Sequence, residues 1–115
     1  NDYKTKDGTC IRDYIHVSDL ADIHLMILRN ITKNKHSLIL NCGYGKGHSV
    51  QEIVNVFKKI KKNIIVKYQK RRLGDVAQIY ANTSKLKKIF KWKPKFNNLK
   101  IILNSAIKWE KKLLK

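Results

Sequence analysis

An arginine, a phenol and an imidazole alternate along Asp7 to His24, DGTCIRDYIHVSDLADIH, and give this stretch most of the chain's chemical capacity. Asp7-Gly8 reads as a turn, because glycine tolerates positive φ and aspartate bonds its own downstream backbone. From Ile11 to Val17 the side chains alternate as a strand's do. Ile11, Asp13, Ile15 and Val17 take one face; Arg12, Tyr14 and His16 take the other. Ser18 or Asp19 is expected to cap the following helix by accepting amide hydrogens that lack partners in its first turn. A face bearing a cation and a phenol, ending at a helix N-terminus, suits an anionic ligand. His16, a lone histidine on a strand, reads as a satisfied structural residue. Asp13 and Asp19 read as local hydrogen bonding and capping.

The elements that position these groups follow from periodicity. A helix from about Asp19 to Ile31 shows Leu20, Ile23, Ile27 and Ile31 at helical spacing. Leu38 to Cys42 is a short apolar run, expected to be a strand buried on both faces as in a parallel sheet. A glycine loop at 43–47 enters a helix through Ser49-Val50-Gln51-Glu52, a capping box whose stripe is Val50, Ile53, Val54, Phe57 and Ile60. Ile64 to Tyr68 has the β-branched enrichment of a strand. RRLGD at 71–75 is a loop, and Ile79 to Ala81 a short strand. A small helix spans Ser84 to Phe90, closed by Trp92 and Pro94, since Lys93 before the proline disfavours the α region. The last helix begins near Asn98 and presents Leu99, Ile102, Leu103, Ala106, Trp109 and Leu113. Trp92 and Trp109 are expected to anchor the core. This order of strands and helices gives an α/β layer structure.

Composition narrows the function classes. At 115 residues the chain is one unit, 1–115, with a modest core. It has no apolar run of about eighteen residues or more, so no membrane span is expected. Cys10 and Cys42 lie far apart without metal-ligand spacing, which suggests structural thiols in a reducing cytoplasm and no metal. The net charge of +18 invites a nucleic-acid reading. Yet the cations are overwhelmingly lysine, spread over every segment rather than gathered into one stripe with stacking aromatics, so no specific nucleic-acid partner is expected. Nonspecific, salt-sensitive attraction to polyanions follows from the charge alone.

The run DGTCIRDYIHV-x-DLAD resembles the UDP-glucose 4-epimerase family of extended short-chain dehydrogenases/reductases. The likeness continues in order through NCGYGKGHSV, RRLGD and SKLKKIFKWKPKF to the terminal helix carrying Trp109. RDYIHV-x-D-x-A alone is shared by several nucleotide-sugar epimerases and dehydratases; the extensions point to the 4-epimerases. Such enzymes hold NAD through a G-x-x-G-x-x-G turn and act through a Tyr-x-x-x-Lys pair. Gly43, Gly45 and Gly47 have the wrong spacing for that turn, and none of the five tyrosines is followed four residues on by lysine.

The resemblance therefore implies the C-terminal substrate-binding part of a Rossmann-type enzyme, including one or two strands of its parallel sheet and straddling both lobes. The N-terminal half would bind most of the NAD and supply the catalytic pair, so no catalytic, cofactor-binding or metal residue is expected here, and the piece alone is expected to be inactive. The parent reaction would interconvert UDP-glucose and UDP-galactose through a 4-keto intermediate, with a homodimer of the full enzyme left open. Arg12 and Arg72 match the arginines that grip the substrate diphosphate, while Arg71 is expected to face solvent. Tyr14 matches a contact to the sugar nucleotide, with a core aromatic as the alternative. Asp75 matches the acceptor for ribose hydroxyls, against a plain turn-forming aspartate, and Leu73 and Gly74 would line the same loop through their backbone. Lys4 replaces a proline usual in the family, and Ile79 stands where some epimerases carry a tyrosine near the sugar. Three rivals remain: another nucleotide-sugar epimerase or dehydratase, a basic nucleic-acid-binding module, and a free-standing binding domain.

Overall fold

A buried carboxylate organises the interior. The computed structural model describes residues 2–114, and in it helix α1, Val17–Asn34, places Asp19 at 0% exposure. Its Oδ2 accepts the Tyr44 phenol at 2.6 Å and the Phe96 amide at 2.9 Å, and its Oδ1 accepts the Lys95 amide at 3.0 Å. The expected capping role falls instead to His16, whose Nδ1 accepts the Ser18 amide at 3.1 Å. Asp19 is unavailable because its lone pairs are spent inside, where a carboxylate persists only if hydrogen-bonded. Burial pushes the Asp19 carboxyl up, but the Tyr44 phenol, the Phe96 and Lys95 amides and nearby His16 outweigh it and hold it below the usual range. Burial and the same hydrogen bond push the Tyr44 phenol up to about 12.

Around this anchor lies a small core of Ile23, Tyr44, Leu86 and Trp92, flanked by Ile15, Met26, Ile27, Leu40 and Phe90. The Tyr44 and Trp92 rings stack with centroids 6.3 Å apart, and His16 packs its ring on Phe96 at 4.6 Å. Trp92 is thus the expected anchor. Trp109 is not: it stays 59% exposed on the last helix.

Helix ends follow the local sequence closely. Helix α2, Val50–Ile60, starts with the anticipated capping box, Ser49 Oγ accepting the Glu52 amide and Glu52 accepting the Ser49 amide. Asp7 joins it, accepting the Ser49 hydroxyl at 2.5 Å and the Thr9 amide and hydroxyl. Those bonds, the one from Ser49 foremost, hold the Asp7 carboxyl below its usual range. The Asp7-Gly8 turn forms with Gly8 at φ 72. Helix α3, Ser84–Phe90, keeps its expected bounds. Helix α4, Leu99–Leu113, is capped by Asn98, which accepts the Lys100 and Ile101 amides, and it packs against α2.

Strands are where expectation and structure part. The expected strand Ile11–Val17 contracts to β1, Ile11–Arg12, paired antiparallel with β2, His48–Ser49. Beyond Arg12, side chains replace the ladder: the Tyr44 hydroxyl accepts the His16 amide, and the Asp13 carboxylate accepts amides from two other segments. The strand expected at Ile79–Ala81 reduces to a parallel bridge between Ile11 and Gln78. Leu38–Cys42 and Ile64–Tyr68 form no ladder, and Ile39 and Ile65 are 86% and 89% exposed. A parallel-sheet strand is stable only between covered neighbours, and among the described residues no strand lies beside either run. Among the described residues no helix is long and apolar enough to cross a membrane.

Two outcomes test this reading. Asp19→Asn turns an acceptor-only group into one that aims N–H at amide donors, and should lower unfolding free energy by roughly 3 kcal/mol in urea titrations. Because the folded Asp19 carboxyl lies below its unfolded value, the unfolded state takes up the proton first as pH falls. Its stabilisation is complete above the ordinary carboxyl range near ~3.9 and is lost as pH drops through the depressed folded value. The variant should therefore show a shallower acid limb, with the part due to Asp7 retained; an unchanged limb would contradict the hub. Separately, Ser49→Ala should cost about 1–2 kcal/mol through loss of the α2 cap.

Candidate functional site

The segment entering β1 and the loop at 71–75 enclose a cleft of about 470 Å³, bordered by Tyr3, Arg12, Tyr14, Arg71, Arg72 and Asp75 among others. β1 holds the Arg12 backbone through its pairing with His48 and a parallel bridge beside it, Ile11 N–H donating to the Ala77 carbonyl at 2.9 Å. The Arg12 guanidinium donates to the Ile11 carbonyl at 2.8 Å and reaches Asp75 Oδ1 at 3.5 Å. That ion pair is long and half-exposed, so it aims the guanidinium without consuming it. Tyr14 lies on the same cleft, where burial pushes its phenol up and the Arg12 charge pulls it partly back.

The opposite wall is a turn. Gly74 takes φ 82, a left-handed conformation open to glycine, and the Asp75 amide donates to the Arg72 carbonyl at 3.3 Å. Arg71 donates to the Asp75 carbonyl at 2.6 Å and lies 4.5 Å over the Tyr3 ring. The Tyr3 hydroxyl donates to Asp75 Oδ2 at 3.0 Å, and desolvation with that bond pushes its phenol up. Asp75 thus joins four partners, Tyr3, Arg12, Arg71 and Arg72, and holds the loop against both Tyr3 and β1.

Of the residues singled out from sequence, Arg12, Tyr14, Arg72 and Asp75 are brought to one cleft, while Leu73 and Gly74 are left outside its lining. Leu73 projects wholly into solvent at the turn's tip. Arg71, expected to face solvent, is exposed yet pinned across the cleft wall. His16 lies away from the cleft, in its structural role. Sequence reasoning missed Tyr3, whose partner is 72 residues away; no local spacing could have paired them. Among the described residues no carboxylate pairs with Arg72. The arrangement gathers three guanidinium groups, Arg71 already engaged on the Asp75 carbonyl, with phenols and the Asp75 carboxylate on one open concavity, which suits an anion of more than one charge carrying hydroxyls. Among the described residues no three His, Cys, Asp or Glu side chains are grouped to hold a metal.

Comparison with known proteins adds relatives to this geometry. Residues 3–43 match the NAD dependent epimerase/dehydratase family. The chain is 43% identical over 113 residues to a UDP-glucose 4-epimerase of Azospirillum brasilense, covering 97% of this chain and 32% of that protein. It is 46% identical over 111 residues to UDP-arabinose 4-epimerase 1 of Arabidopsis thaliana, covering 96% of this chain and 26% of that one. It superposes with TM-score 0.88 and 34% identity on the crystal structure of a UDP-glucose-4-epimerase from Stenotrophomonas maltophila with bound NAD and formylated UDP-arabinopyranose, covering 97% of this chain and 33% of that one. The chain thus spans between about a quarter and a third of the length of the relatives it matches.

Proposed function

We propose that this chain, whose residues 3–43 match the NAD dependent epimerase/dehydratase family, forms the C-terminal, nucleotide-gripping portion of a UDP-sugar 4-epimerase acting on UDP-glucose and UDP-galactose. The observation that carries the reading is the shared cleft of Arg12, Tyr14, Arg72 and Asp75. A diphosphate presents planar pairs of oxygens, and a guanidinium donates to such a pair with two parallel hydrogen bonds while staying charged at every working pH. One guanidinium from β1 and one from the 71–75 loop would grip it from two sides. Tyr14 would donate its phenol to the nucleotide, and Asp75 would accept hydroxyls of the ribose. Holding the nucleotide at this end fixes where the sugar lies, so binding energy far from the reacting carbon is used for orientation.

The residues present do not form a site for NAD. The one glycine-rich loop that enters a helix, 43–47, is closed to a dinucleotide. A Cβ at Gly43 would meet Asp13 and Ala81, one at Gly47 would meet Ile11 and Tyr80, and the α2 N-terminus beyond is taken by Ser49 and Glu52. Anionic Glu52 and Asp7 at that terminus would repel a pyrophosphate. The part proposed for this chain's own residues is grip and orientation. Two free thiols, Cys10 and Cys42, accord with a reducing cytoplasm.

In the enzyme that carries this chain, Arg12→Ala and Arg72→Ala should each raise KM for the UDP-sugar by about 10- to 100-fold, the effect of losing one charge-assisted contact of about 1.5–3 kcal/mol. Steady-state kinetics with UDP-galactose provides the check, and unchanged KM in both variants would refute the assignment. Running the same assay with UDP-arabinose weighs the second reading, which the 46% identical relative favours.

A further inference from the structure

We propose that Asp13 is a positioning residue for the nucleotide cleft, a role that rests on the reading of Arg12 and Tyr14 as substrate contacts. Asp13 lies between them in sequence yet is absent from the lining of their cleft. Its carboxylate turns to the other side and collects three backbone amides. Oδ1 accepts from Tyr44 at 3.1 Å, and Oδ2 accepts from Gly45 at 3.0 Å and Ala81 at 3.3 Å.

Those donors belong to two segments distant in sequence. Tyr44 and Gly45 lie in the glycine loop, itself tied to the interior through the Tyr44 phenol on Asp19. Ala81 lies six residues beyond Asp75, on the strand-like run whose Ile79 amide donates to the Ile11 carbonyl at 3.1 Å. One carboxylate therefore fastens the run bearing Arg12 and Tyr14 both to the core and to the segment that leads from the Arg72–Asp75 loop. Past Arg12 no ladder bond does this. A carboxylate suits the task because it only accepts, so each of its oxygens can take an amide without a competing donor.

Gly43 is the independent sign that the contact is built for closeness. A Cβ there would run into the Asp13 carboxylate and lie 2.9 Å from the Ala81 Cβ. Only a glycine lets the 43–45 backbone approach closely enough to donate two amides to one side chain. The requirement is contact distance rather than backbone angle, since Gly43 is not among the positive-φ glycines.

The test is a double-mutant cycle on the enzyme that carries this chain, read by calorimetric titration with UDP. Asp13→Asn should raise the Kd for UDP at least tenfold while bound NAD per protomer stays unchanged. In an Arg12→Ala background the same substitution should raise Kd by a clearly smaller factor, because one of the groups it positions is already gone. Gly43→Ala, which disturbs the carboxylate without removing its charge, should weaken UDP in the same direction and serves if Asp13→Asn does not fold. A lowered melting temperature with unchanged UDP affinity, or full additivity of the two substitutions, would overturn the proposal. If Arg12→Ala itself leaves Kd unchanged, the substrate reading fails instead.

Discussion

Carboxylates that accept backbone amides hold this chain in register where sheet ladders would ordinarily do so. Asp19 joins helix α1 to the turn at Lys95 and Phe96, and Asp13 joins the Arg12 run to the glycine loop and Ala81. Both converge on Tyr44, whose amide donates to one and whose phenol donates to the other. Hydrogen bonds to a charged acceptor contribute roughly 1.5–3 kcal/mol each, about twice a neutral pair. A buried carboxylate is tolerable only when its oxygens are filled in this way. Beside a core centred, among the described residues, on Ile23, Tyr44, Leu86 and Trp92, these two carboxylates supply cross-links between segments distant in sequence.

The cleft inherits that order. β1 is two residues long, and alone it would leave Tyr14 unconstrained. The far wall is kept by different means: a turn with Gly74 at its bend, Arg71 clasping the Asp75 carbonyl, and the Tyr3 phenol on the Asp75 carboxylate. Arg12 bridges the two walls through a long, half-exposed pair with Asp75. Such a pair is worth little by itself. The guanidinium is therefore held at the cleft without a strong internal partner. The apolar groups left bare, Val17, Ile39, Ile65 and Trp109 among them, fit a chain that spans between about a quarter and a third of its relatives' length.

What was legible in the sequence was what is local. The Ser49–Glu52 box, the start of the last helix near Asn98 and the bounds of α3 depend on residues within one turn of one another, and all three stand as read. Strands depend on partners, so the apolar run of Leu38–Cys42 and the β-branched enrichment of Ile64–Tyr68 say that a sheet would suit them and nothing about whether a neighbour is present. Asp19 illustrates a different loss. In sequence, a first-turn aspartate after a serine is indistinguishable from a cap; the deciding fact is that Phe96 and Lys95, more than seventy residues on, donate to it. Arg12, Tyr14, Arg72 and Asp75 were legible as a set through the resemblance of their surrounding motifs. The Tyr3 bond to Asp75 and the seat of Arg71 over the Tyr3 ring were not, because both arise from a fold-level meeting of the N-terminal turn with the 71–75 loop.

The most direct measurement is a crystal structure, with UDP bound, of the enzyme that carries this chain. The diphosphate should lie within hydrogen-bonding distance of both the Arg12 and Arg72 guanidinium groups, with Tyr14 against the nucleotide and the Arg12–Asp75 pair opened. A nucleotide seated on the 43–47 glycine loop, or touching neither arginine, would contradict the account.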